Sequence, residues 1–193
     1  MAKTFKNIDD KMAAFLAAQP VFFVATAPLS ADGHINCSPK GNNGTFQVVG
    51  RRQVAYRDLN GSGVETISHL RENGRMVLMF CVFDGPPRIV RLHGHGRAVF
   101  DHDQEFGGLA ERFGGAELTR CFIVLDVERI SDSCGFGVPL MGFEGHRHKL
   151  ERWAEKMGED GLARYRTANN QVSLDGLPGV PDEAPALSIG EHQ

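Results

Sequence analysis

Apolar and polar residues alternate at period two through most of the chain, and the exceptions are short. Val21 to Ala27, Thr45 to Val49, Gln53 to Arg57, Arg75 to Phe83, Arg88 to Phe100 and Cys121 to Ile130 all read as strands. Turn chemistry separates them. Ser30-Ala31-Asp32-Gly33 joins Val21 to Ala27 to a strand over Ile35 to Pro39 as a hairpin. Asn42-Asn43-Gly44 and Gly50-Arg51-Arg52 are further turns. Asp84-Gly85-Pro86-Pro87 closes a long hairpin, because two prolines exclude helix there. Period 3.6 is rarer. Asp9 to Ala18 places Met12, Phe15 and Leu16 on one face behind an acidic start and stops at Pro20. Ser62-Gly63-Val64-Glu65 has the spacing of a capping box, which predicts a helix from Ser62 to Asn73-Gly74. Two more helices are predicted over Asp103 to Phe113 and Arg147 to Met157. Six or seven turn-linked strands with three or four helices predict a mainly β protein with peripheral helices, a small antiparallel barrel.

With 193 residues, 41% of them hydrophobic, the chain can bury one sizeable core, and no linker divides it. One domain is expected over residues 1–177, followed by a poorly ordered tail over 178–193. A net charge of −3 offers no basic excess, so neither nucleic acid nor a membrane surface is an expected partner. No apolar run approaches membrane-spanning length, and the start lacks a secretory apolar core, so a cytoplasmic protein is expected. Cys37, Cys81, Cys121 and Cys134 are widely spaced, without a C-x-x-C pair. They read as reduced thiols, mostly in the core.

Two pieces carry the candidate chemistry. Asn36-Cys37-Ser38-Pro39-Lys40-Gly41 runs from a strand into small residues, a hydroxyl and a cation. About twenty residues on, Ala55 to Leu59 leads into Asn60-Gly61-Ser62-Gly63, whose backbone amides open the predicted helix that carries Thr66. Amides at a helix start together with a lysine are a phosphate-binding combination. Arg88 and Arg91 lie on opposite faces of one strand, so only one of them can face a cleft. His93 and His95 share a face, but no third ligand is spaced to join them, and no metal site is expected. Ser133 to Pro139 is a loop carrying Cys134 and Phe136. Neither a Gly-x-Ser-x-Gly elbow nor a Gly-x-Gly-x-x-Gly turn is present, which argues against a serine hydrolase and a Rossmann enzyme.

At these residues the chain resembles the pyridoxamine phosphate oxidase-like proteins, the FMN-binding split β-barrel flavoproteins. The likeness covers roughly residues 10–130. It lies in the lysine-ended strand Asn36 to Lys40, the strand through Tyr56 to Asn60, the helix ending at Asn73-Gly74, and the run Arg88-Ile89-Val90-Arg91-Leu92-His93-Gly94. The resemblance implies a homodimer with two FMN molecules in clefts between subunits. Asn36, Ser38, Pro39, Lys40 and Gly41 would lie along the flavin or its ribityl chain. Asn60, Gly61, Ser62, Gly63 and Thr66 would lie at the phosphate, with Arg91 and Phe136 as further cofactor contacts.

The chain departs from the true oxidases in three places. Gly63 and Val64 stand where those carry an Arg-Lys pair after the serine, and Ile89 stands where they carry a flavin-contacting glutamine. Their C-terminal Trp-Gly-x-x-Arg-type segment is missing, the single tryptophan being Trp153 in a predicted helix. Pyridoxine phosphate is therefore not the expected substrate. The resemblance implies an FMN-dependent oxidoreductase acting on a small molecule, with a nicotinamide as a possible electron donor. The alternative is a non-catalytic binder of flavin or another planar cofactor, such as haem or deazaflavin, for storage or sensing.

Overall fold

A computed structural model of the chain describes residues 3–181. The strands are β1 (Lys3–Phe5), β2 (Val21–Thr26), β3 (Asn36–Gly41), β4 (Phe46–Gly50), β5 (Gln53–Leu59), β6 (Arg75–Cys81), β7 (Ile89–Val99) and β8 (Thr119–Ser133). The helices are α1 (Asp10–Ala18), α2 (Glu65–Glu72), α3 (Phe106–Arg112) and α4 (Lys149–Asn169). All strand pairings are antiparallel in the order β3-β2-β6-β7-β8-β5-β4, with β1 added on β8. The sheet curls but does not close. Edge strands β3 and β4 follow each other in sequence yet do not pair, and the expected split barrel is the result.

Alternation decides which side each strand buries. On β2, Phe22, Val24 and Thr26 face inward while Val21, Phe23 and Ala25 stay half-buried on the outer face. Inside, Phe22 stacks on Phe80 at 5.4 Å and meets Tyr56 edge-on at 5.5 Å, with Phe46 completing the group. Asp9 caps α1 by accepting a 2.8 Å bond from the Met12 amide, and Met12 and Leu16 are buried. A second, smaller cluster forms where α3 covers Ala55, Val99, Phe122 and Val124. Gly94 sits at a bulge in the β7–β8 pairing, where a Cβ would lie 2.0 Å from the Asp126 carbonyl.

Two expectations need correction. The helix expected from Ser62 starts three residues later. Its N-cap is Val64, without a side-chain cap bond, and the Glu65 carboxylate turns back to accept from the Val64 amide at 3.0 Å and from the Leu174 amide at 3.3 Å. The helix expected to end at Met157 does end there: Gly158 is non-helical (φ 65°, ψ 176°), and a second helical stretch beyond it brings Tyr165 edge to face with Trp153 at 4.9 Å. The tail does not begin at residue 178: Val180 is buried, and the Gly179 amide donates to Gln171 at 2.7 Å. Residues 182–193 of the expected tail lie outside the described residues. All four cysteines are free thiols, but Cys37, on an outward position of β3, and Cys134, just past the end of β8, are exposed. Among the described residues, no helix is long and apolar enough to cross a membrane.

Candidate cofactor cleft

The barrel's split is bridged at the level of Lys40. Its side chain, on β3, reaches Asp58 on β5 at 3.5 Å, and a cleft of about 320 Å³ opens around this pair. That volume is within the rough range of 300–1,000 Å³ seen for small-molecule sites. Nine of the residues singled out from the sequence line it: Asn36, Ser38, Pro39, Lys40, Gly41, Asn60, Gly61, Gly63 and Thr66. Alternation on β3 sends Asn36, Ser38 and Lys40 inward. Asn36 donates to Thr66 Oγ1 at 3.0 Å and Thr26 Oγ1 at 3.2 Å, and accepts from Ser38 Oγ at 3.0 Å. Three elements are thereby tied at one amide. Thr26 in turn shares a 2.9 Å hydrogen bond with Nδ1 of the fully buried His69. Burial holds the His69 ring below its ordinary pKa, against the pull of Asp175, Glu65 and Glu72.

Asp58 is the electrostatic centre. It is 1% exposed, and its Oδ2 accepts from Arg120 Nη2 at 2.6 Å and Nε at 2.9 Å, leaving Oδ1 for Lys40. Burial alone would push this carboxyl up. The Arg120 guanidinium, and after it Lys40, outweigh burial and hold it below the usual carboxylate range. Cys121 lies 3.9 Å from Asp58; burial first, and that carboxylate second, push its thiol well above normal, so it is no nucleophile.

The loop 60–63 is held from behind. Gly61 O accepts from Asn170 Nδ2 at 3.0 Å and Arg120 Nη1 at 3.3 Å, and Ser62 O accepts from Asn170 at 3.3 Å. Asn60 donates to Leu118 O at 3.2 Å and accepts from Arg166 at 3.4 Å. Among the described residues' hydrogen bonds, none is donated by the backbone amides of Gly61, Ser62 or Gly63. Gly61 and Gly63 line the same cleft as Lys40.

Three expected contacts are not in this chain's cleft. Ser62 neither lines it nor caps α2, because its carbonyl is drawn toward Asn170 and Glu65 occupies the helix start. Arg91 falls on the sheet's outer face and bonds Ser133 Oγ at 3.2 Å. Arg88 is no substitute, being paired with Asp132 at 3.1 Å and set over the Phe15 ring. Phe136 is 81% exposed in the segment after β8. The residues that sequence reasoning missed are Thr45, Asp58, Leu59, Glu65, Arg120 and Leu150. Arg57 borders the cleft, with its guanidinium drawn to Thr119 Oγ1 at 2.9 Å and to the Glu117 carbonyl. Asp58 was detectable in principle, since it continues the inward positions Val54 and Tyr56 and so places a charge on a buried face.

Residues 8–134 match the family model described as pyridoxamine 5'-phosphate oxidase. The pyridoxamine 5'-phosphate oxidase family protein ustO of Aspergillus flavus is 40% identical over 192 residues, covering 91% of this chain and 77% of that protein. Among solved structures, HupZ of Group A Streptococcus is similar at 20% identity in two crystal structures. One, a histidine-to-alanine variant, gives a TM-score of 0.53 and covers 65% of this chain and 99% of that one. The other gives 0.51, with 64% and 91% covered. A lysine-ended edge strand facing a glycine-rich loop across an open barrel, together with these matches, makes the chain a member of the pyridoxamine 5'-phosphate oxidase family.

Proposed function

We propose that the cleft holds FMN and that the protein is an FMN-dependent oxidoreductase. The observation that carries the reading is the loop 60–63: the carbonyls of Gly61 and Ser62 are taken by protein donors, while Gly61 and Gly63, whose amides donate no hydrogen bond among the described residues, line the same cleft as Lys40. These groups fit a phosphate monoester: several neutral donors and one cation, without the adjoining carboxylate being free to repel it. Glu65 is spent on two amides and Asp58 on Arg120. Asn36 and Ser38 would hold the polar part of the cofactor, and Pro39 and Leu150 would pack on it. Bound FMN supplies the one- and two-electron chemistry; the chain binds it, orients it and limits its contact with water.

The partner in this reading is a second copy. Phe23, Val77, Met79 and Ile89 stand half-buried together on the outer face of β2, β6 and β7, beside a groove of about 430 Å³ lined by Ala25, Ile35, Val77 and His93. In a homodimer built on that face, Arg91 and Phe136 would meet a flavin only across the interface. A nicotinamide is the electron donor we favour, with a small organic molecule as substrate.

A second reading is favoured by the lack of a free acid or base. The two carboxylates lining the cleft are both engaged, which suits a flavin carrier without turnover. The purified protein is expected to be yellow. Anaerobic addition of NADH or NADPH separates the readings: bleaching supports the oxidoreductase, and an unchanged spectrum supports the carrier.

A further inference from the structure

We infer that Asn170 is a positioning residue of the phosphate seat, and that the C-terminal segment 170–180, which lies beyond the family match at 8–134, is part of the site. The inference rests on the phosphate-binding reading of loop 60–63.

A trans peptide is planar, with its C=O and the following N–H pointing in opposite directions. Fixing the carbonyl of Ser62 therefore aims the amide of Gly63, which lines the cleft, and fixing that of Gly61 holds the peptide before it. The Asn170 carboxamide makes both attachments, at 3.0 and 3.3 Å. Arg120 shares the first, and its own guanidinium is held by Asp58. Asn170 is itself immobilised. It is fully buried, and its amide closes α4 on Arg166 O at 2.8 Å. Its carbonyl accepts from Val180 at 2.8 Å. Gly179 passes so close that a Cβ there would lie 2.1 Å from the Asn170 carbonyl oxygen. Arg71 of α2 donates to the Gly179 carbonyl and fastens the segment to the helix that follows the loop. The direction of the Gly63 amide at the seat is thus set by a residue more than a hundred positions away.

The test compares FMN with riboflavin, which differ only by the phosphate, in wild type and Asn170→Ala. The expected result is FMN affinity lower by about tenfold with riboflavin affinity unchanged, the loss of an interaction made to one end of the ligand. Equal losses for both flavins would make Asn170 merely structural, and no loss for either would remove it from the site; each overturns the inference. Should Asn170→Ala not fold, the wild-type protein labelled with 15N provides a second arm. Titrated with inorganic phosphate, it is expected to shift the Gly63 amide, and an unmoved Gly63 amide overturns the inference. Shifts with phosphate but no uptake of FMN would sustain this seat and remove the flavin reading.

Discussion

The two faces of the curled sheet treat their polar groups differently. Facing the cleft, Asn36 is bonded to three hydroxyls, Asp58 to two cations, and the carbonyls of Gly61 and Ser62 to Asn170. On the outside, Phe23, Val77 and Met79 stand half-covered, and His93 Nδ1 is buried without a partner. Neither face is complete: on the inner side Tyr56 Oη and His69 Nε2 are also buried without a partner, and the amides of Gly61 and Gly63 make no hydrogen bond among the described residues. What differs is the kind of surface left over, polar atoms within and half-covered apolar side chains without, which is the pattern expected if a small polar ligand finishes one and a second subunit the other.

The largest effect should come from breaking the inner face at its centre. Asp58→Asn leaves Arg120 buried without its counter-charge, and a loss of about 3–5 kcal/mol in unfolding free energy is expected. Denaturant titration measures it, and a change below 1 kcal/mol would show that Arg120 finds other acceptors.

Next in size is Lys40→Ala. A charge-assisted contact to phosphate contributes roughly 1.5–3 kcal/mol, so FMN should bind about ten- to a hundredfold more weakly. The apo-protein's melting should move far less than for Asp58→Asn, because Asp58 keeps Arg120. A matching fall in melting would make Lys40 a structural strut across the split.

On the outer face, Met79→Lys places a charge in the proposed dimer contact. Dissociation at least tenfold easier, about 1.4 kcal/mol, is expected by sedimentation at micromolar concentration. Unaltered self-association would move the interface elsewhere.

The smallest effect is on pH. Burial lowers the native pKa of His69 and, with the help of Arg129 and Arg91, that of His93. As the pH falls, the unfolded chain takes up these protons first, near pH 6.5, so their contribution to stability is complete above that pH and is lost as the pH drops through the native values. Asp58 has the same sign, but its contribution persists until the pH falls through its lowered carboxyl pKa. Melting temperature should decline gently below about pH 6.5 and further below about pH 4, with the second fall smaller in Asp58→Asn, where the lowered carboxyl of Asp175 remains.

Much of the fold was legible because its signals are local. Alternation in Val21 to Ala27 and the prolines after Asp84 specify strands and a turn without reference to anything distant. The cleft's β3 and loop residues were legible for the same reason. The supporting side chains were not. Arg120 reaches Asp58 across 62 positions and Asn170 reaches Gly61 across 109, distances at which spacing carries no information. The Ser62-x-x-Glu65 pattern shows the opposite failure. Locally it is a capping box, but Asn170 takes the Ser62 carbonyl and Glu65 turns back on Val64, so tertiary contacts override the local motif.

In the proposed reading, Lys40 and the amides of Gly61 and Gly63 receive a phosphate carried by a flavin. Titration of the apo-protein with FMN and riboflavin, followed by flavin fluorescence, tests this most directly. FMN is expected to bind at least tenfold more tightly. Equal affinity for the two flavins would contradict the claim.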